Sequence, residues 1–130
     1  MPNEETFFQM LIQALQLVAA DAATQMEVLP SGVHIPDEVV LTFDESYLLF
    51  DQVIEAGLVN SAQVEAVQKL HQHIHEMTLA RDLSLWTLEA MKSHPKWDEM
   101  RGLAKDTLTK LGVDTDRPNL GWINYVPSGN

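Results

Sequence analysis

Residues 7–20 read FFQMLIQALQLVAA, and this stretch limits the fold more than any other. At about 100° per residue, Glu5, Gln9, Gln13, Gln16 and Ala20 fall within one stripe about 80° wide. Phe7, Phe8, Leu11, Ile12, Leu15, Val18, Ala19 and Ala22 take up most of the remaining circumference. A helix this apolar has to lie at the centre of a fold or be shared with a second subunit. The pattern predicts one helix from about Glu4 to Met26. The same run invites reading as a secretory leader, but the preceding MPNEET carries two acids and no Lys or Arg, the wrong sign for one. It is also shorter than the roughly 20 apolar residues that span a bilayer. A core helix is therefore expected, in a protein that neither enters nor crosses a membrane.

Helical periodicity continues along the chain. LPSGVHIPDEVVLTF (29–43) interrupts it with two prolines and a glycine, and predicts a loop with an extended stretch. A second helix is expected from Asp44, as N-cap, to Ala56, with Gly57 at its left-handed end. Asn60 or Ser61 caps a third, running to about Thr78, whose Val64, Val67, Leu70, Ile74 and Met77 repeat at three and four. A short helix near 85–92 follows. Pro95, behind Ser93 or His94 as cap, opens the last helix, and Gly112 closes it. Trp97, Met100, Leu103, Ala104, Leu108 and Leu111 form its inward stripe. Trp122, Ile123, Tyr125 and Val126 predict that the non-helical tail 113–130 docks on the bundle. The expectation is a single all-α domain over residues 1–130, a bundle of four or five helices with a docked tail.

Charge is distributed unevenly. Residues 1–68 contain eleven acids and no Lys or Arg, whereas residues 69–130 hold all eight basic residues and eight acids. The whole excess of −11 thus belongs to the N-terminal half. Such a field repels nucleic acid and anionic membrane surfaces and attracts basic partners. The chain has no cysteine, which removes disulfide and thiolate chemistry and fits a reducing cytoplasm.

Three constellations bear on chemistry. In KLHQHIHEM (69–77), His71, His73 and His75 alternate. On a helix, His71 and His73 lie on opposite flanks of the Leu70/Ile74 seam, so only His71 and His75 can share a ligand. A metal site there needs a third ligand from another helix; boundary-facing, partly solvated imidazoles are the plainer expectation, with no cofactor. In TFDESYLLFDQVIEAG, Asp44, Asp51 and Glu55 fall within about 40° of one another on a continuous helix, beside Leu48. That acidic ridge with an exposed leucine has the form of a protein-recognition surface. Carboxylates at such spacing repel, so a helix shaped for stability alone would intersperse lysines. Glycosidase, di-iron, phosphate-loop, G-x-S-x-G and EF-hand patterns are all absent, which leaves catalysis without a motif.

The third constellation is LWTLEAMKSHPKWDEMRGLAKDTLTKLG (85–112). Trp86 and Trp97 are expected to wedge the corner between two helices, with a ligand pocket between the rings as the alternative. Lys92, Lys96, Arg101, Lys105 and Lys110, mixed with Glu89, Asp98, Glu99 and Asp106, predict a solvated face. In its pattern LWTxEAMxSHPxWxEMRxLAxxTLxxLG this segment resembles small helical bacterial proteins. Compact acidic proteins of this size are similar to immunity proteins that neutralise basic toxins. The resemblance covers under a quarter of the chain and carries over no functional residue. It implies a basic protein partner.

The leading expectation is a non-enzymatic binding protein whose acidic half recognises such a partner through Asp44, Leu48, Asp51 and Glu55. The alternatives are an assembly subunit dimerising through the first helix, and a metal- or small-molecule-dependent enzyme using His71 and His75.

Overall fold

The computed structural model describes residues 3–115, and among them there are helices and turns but no strand. Seven α-helices follow in order: α1 (Glu4–Ala19), α2 (Ala22–Val28), α3 (Ile35–Tyr47), α4 (Phe50–Glu55), α5 (Ser61–Leu79), α6 (Leu88–Ser93) and α7 (Pro95–Leu111). A 3-10 turn, Leu83–Trp86, joins α5 to α6. The all-α class is the one expected. The docking of Trp122, Ile123, Tyr125 and Val126 falls outside the described residues.

The helices outnumber expectation because the chain breaks at Ala20–Asp21 and at Leu48–Leu49, the first break with a side-chain cap and the second without one. The long first helix is two: Ala20 turns extended, and the Asp21 carboxylate accepts the Thr24 N–H at 2.8 Å to start α2. An aspartate that caps a new helix gains a backbone hydrogen bond that mid-helix aspartate lacks. The prolines also act differently from expectation. Pro36 sits in the first turn of α3, where its missing N–H has no helical partner to lose, so the helix begins at Ile35. Most of the expected loop 29–43 is therefore helical, and Asp44 lies inside α3 instead of capping its successor. The chain breaks again at Leu48–Leu49 before α4.

Elsewhere local signals act as read. Asn60 and Gln63 form a reciprocal capping box at α5, with Oδ1 accepting the Gln63 N–H at 2.9 Å and Oε1 accepting the Asn60 N–H at 2.8 Å. Pro95 opens α7, His94 Nδ1 accepts the Lys96 N–H at 3.0 Å, and Gly112 ends the helix at φ 72°.

Helix α1 is the centre of the fold. Leu11, Ile12, Leu15, Leu17 and Val18 are buried against α3, α4 and α7 of the same chain. Each large aliphatic side chain buried this way contributes about 1.5–3 kcal/mol. The buried length of this helix thus finds its partners within the subunit. Helix α5 presses its seam, Val67, Leu70, Ile74 and Met77, toward α7. At the corner, Trp97 is fully buried and Trp86 meets it edge-on with centroids 5.8 Å apart. The Trp97 indole N–H donates to the Leu85 carbonyl at 2.7 Å, which fixes the 3-10 turn over α7.

Two residues depart from their expected solvation. Arg101 is buried: its Nε donates to the Ala20 carbonyl and one Nη to Gln25 Oε1, each at 3.0 Å, and that Nη also reaches the Met91 carbonyl. Gln25, itself fully buried, donates to the Leu17 and Val18 carbonyls. Terminal carbonyls of α1 and α6 attract a cation through the negative end of the helix dipole, which explains why an arginine enters this core. Burial pulls the guanidinium below its ordinary value, and the Asp98 carboxylate, 3.4 Å away, opposes that. His73 is also buried, not partly solvated. Its Nε2–H donates to the Lys96 carbonyl at 2.8 Å, and Nδ1 stands 3.6 Å from Glu99.

Candidate functional site

The histidines divide as helical geometry requires: His73 enters the α5–α7 interface, while His71 and His75 face α3. There, Tyr47 lies flat on His71 with centroids 3.9 Å apart and planes 6° from parallel. His71 and His75 are 6.2 Å apart. Tyr47 also continues a ring stack with Phe43 and Phe50 at 5.9 Å on each side, so the core anchors it. Burial raises the Tyr47 phenol above its ordinary value, and the Asp51 charge adds to this.

The ridge residues do not form one helical stripe, because the break at Leu48–Leu49 intervenes. Asp44 is on the last turn of α3 and half-buried. Leu48, the C-cap of α3, is 81% exposed, and Asp51 and Glu55 stand exposed on α4. The structure thus brings Asp44 toward His71 and His75, and leaves Asp51 and Glu55 on the outer side of the break. Burial is the larger influence on Asp44 and raises its carboxyl above the usual range; His71 and His75 act against it. Among the described residues, no group of three His, Cys, Asp or Glu side chains is disposed to hold a metal ion.

Asp44 also lines two adjoining concavities. One, about 730 Å³, opens among α3, the end of α5 and the 3-10 turn, with Val40, Leu41, Leu83 and Trp86 as apolar walls and Asp37 and Asp44 as acids. The other, about 400 Å³, runs on toward Tyr47, Leu48 and the two histidines. Leu41, Asp44 and Thr78 belong to both, so the two form one trench along α3. Among the described residues, no Lys or Arg lines either part. At one end, His34 Nδ1 pairs with Asp37 at 2.9 Å. The Glu38 carboxyl is raised by its partial burial and then by Glu45 and Asp37, a sign of unrelieved negative charge along α3.

Sequence reasoning singles out Asp44, Leu48, Asp51, Glu55 and the His71/His75 pair but gives no sign of the trench that Asp44, Leu48 and the two histidines line. Its walls, Leu41, Leu83 and Trp86, come from segments 40 residues or more apart, and only packing brings them together. Two exposed leucines so placed, Leu41 at 46% and Leu83 at 83%, carry no periodic signature that separates them from core positions.

Fold and trench together define an all-α protein with an acid-rimmed apolar groove. No family model matches the chain, and no curated protein or solved structure is measurably similar to it. No helix among the described residues is long and apolar enough to cross a membrane.

Proposed function

We propose that this chain is a non-enzymatic binding protein, bacterial and cytoplasmic, that presents the acidic surface of α3 and α4 to a basic protein partner, as an immunity or regulatory protein does. The observation that carries the reading is Leu48, 81% exposed where α3 meets α4 and accompanied by Asp44, Glu45, Asp51 and Glu55 in a half-chain without Lys or Arg. An exposed apolar residue within an acidic surface supplies contact area, and the surrounding charge selects the sign of the partner. A singly exposed leucine is ordinary by itself; the reading rests on its place between acids on both sides of the α3–α4 break.

The test compares capture by the wild-type chain, by Leu48→Ser and by the double variant Asp51→Lys/Glu55→Lys. All three altered side chains are exposed, so unfolding midpoints should coincide. One and the same basic protein should be retained by the wild type at low salt, released at high salt and lost from both variants. Equal retention by the variants would sink the reading.

A further inference from the structure

We infer that the trench between α3 and α5 receives a basic amphipathic helix of the partner, its apolar face on Leu41, Leu83 and Trp86 and a Lys or Arg head at Asp44. This rests on the basic-partner reading and adds the binding mode. Helical rise carries α3 about 20 Å from Ile35 to Leu48, which matches a guest helix of about 14 residues. The two concavities adjoin along that length, sharing Leu41, Asp44 and Thr78; Leu41, Leu83 and Trp86 give the first an apolar wall, and Asp44, Glu45, His71 and His75 add polar groups to the second.

Charge selects the occupant. Asp44 stands where the two concavities join, half-buried, and its carboxylate makes no hydrogen bond or ion pair with any described residue. A carboxylate drawn partly out of water with no partner is unfavourable in the free protein and is relieved when a cation arrives. Of the histidines beside it, His71 is stacked on Tyr47 and His34 is paired with Asp37, while exposed His75, like His71, acts on it without a hydrogen bond or ion pair. Lys and Arg have aliphatic stems that can lie on Leu41 and Thr78 while the charged head reaches the acid. A helix bearing acids would meet Asp37, Asp44 and Glu45 with like charge.

The experiment titrates the full chain with four probes by calorimetry: a 14-residue Leu/Lys helix with one apolar face, its Leu/Glu counterpart, a same-composition scramble without a face, and octylamine. The Leu/Lys helix should bind, and Asp44→Asn and Leu41→Ser should each weaken it about tenfold or more. Amide shifts should be confined to α3, the end of α5 and the 3-10 turn. Three results would overturn the inference: equal binding of the scramble, which means charge alone; equally tight octylamine, which means a small-amine site; or indifference to Asp44→Asn. The same two variants are then tried against the captured partner. If Asp51→Lys/Glu55→Lys abolishes capture while Asp44→Asn and Leu41→Ser leave it intact, the trench inference falls and the basic-partner reading stands. If neither set matters, both fall.

Discussion

The ring of Tyr47 covers the imidazole of His71 at 3.9 Å, with planes 6° from parallel, and so ties the last turn of α3 to the middle of α5. Both rings line the trench, so the contact ties its α3 and α5 walls to each other. Tyr47→Leu should lower stability by about 1 kcal/mol beyond the lost area, in line with other ring pairs. A ring current acts on His71 more than on exposed His75, so the His71 carbon-bound protons should resonate upfield of those of His75. The difference should vanish in Tyr47→Leu; if it persists, the stack does not form in solution.

Asp44 predicts a pH dependence with a definite sign. Its carboxyl is raised by burial, so the fold prefers the protonated form. That contribution is fully present below the ordinary aspartate value, about 3.9, and is lost as pH rises through the raised value. At neutral pH, Asp44→Asn should therefore melt above the wild type, and the gap should close as pH falls below that range. A gap unchanged between pH 7 and pH 3 would count against the burial assignment. A residue whose replacement stabilises the free protein is often one kept for binding.

Arg101 offers a different expectation. Arg101→Met leaves the Ala20 and Met91 carbonyls and the Gln25 amide oxygen without their donor, and should cost about 3 kcal/mol. Arg101→Lys should rescue little, because one ammonium lacks the planar fork that reaches all three acceptors. Urea midpoints of the two variants decide this: near-wild-type stability of either would mean that water replaces the guanidinium.

Trp97→Phe should cost about 2–3 kcal/mol, since it leaves the Leu85 carbonyl unpaired and a void where the larger ring had been. The loss should be accompanied by faster hydrogen exchange in the 3-10 turn Leu83–Trp86, which that bond restrains.

Which parts of this fold could be read in advance follows from the range of the interactions. The α5 seam, its capping box and the Pro95/His94 start of α7 are all settled within four residues, and sequence spacing suffices for them. Asp21 was harder, because an aspartate at the end of an apolar run fits a helix interior or a cap equally well until the chain direction is known. Pro36 misled for a related reason: a proline stops a helix at most positions but starts one in its first turn. Placing the helix start at Asp44 then put the ridge on one continuous helix. The burial of Arg101 is invisible in sequence because the acceptors that draw it in, the carbonyls of residues 20 and 91 and the Gln25 amide oxygen, form no local side-chain pattern with it. The trench shares that difficulty, as its apolar walls meet only once α3, α5 and the 3-10 turn have packed.

The Arg101 network also dictates when the molecule can become native. The end of α1 and the whole of α2 depend on a side chain made some 80 residues later, and α1 buries its apolar face against α7 as well. During synthesis at the ribosome the N-terminal helices therefore emerge without their cation, and with α3 and α4 but not α7 to cover α1. An apolar α1 has to wait, shielded or loosely collapsed, until the turn of α7 carrying Arg101 leaves the exit tunnel. The packing of α1 is accordingly completed only when α7 arrives.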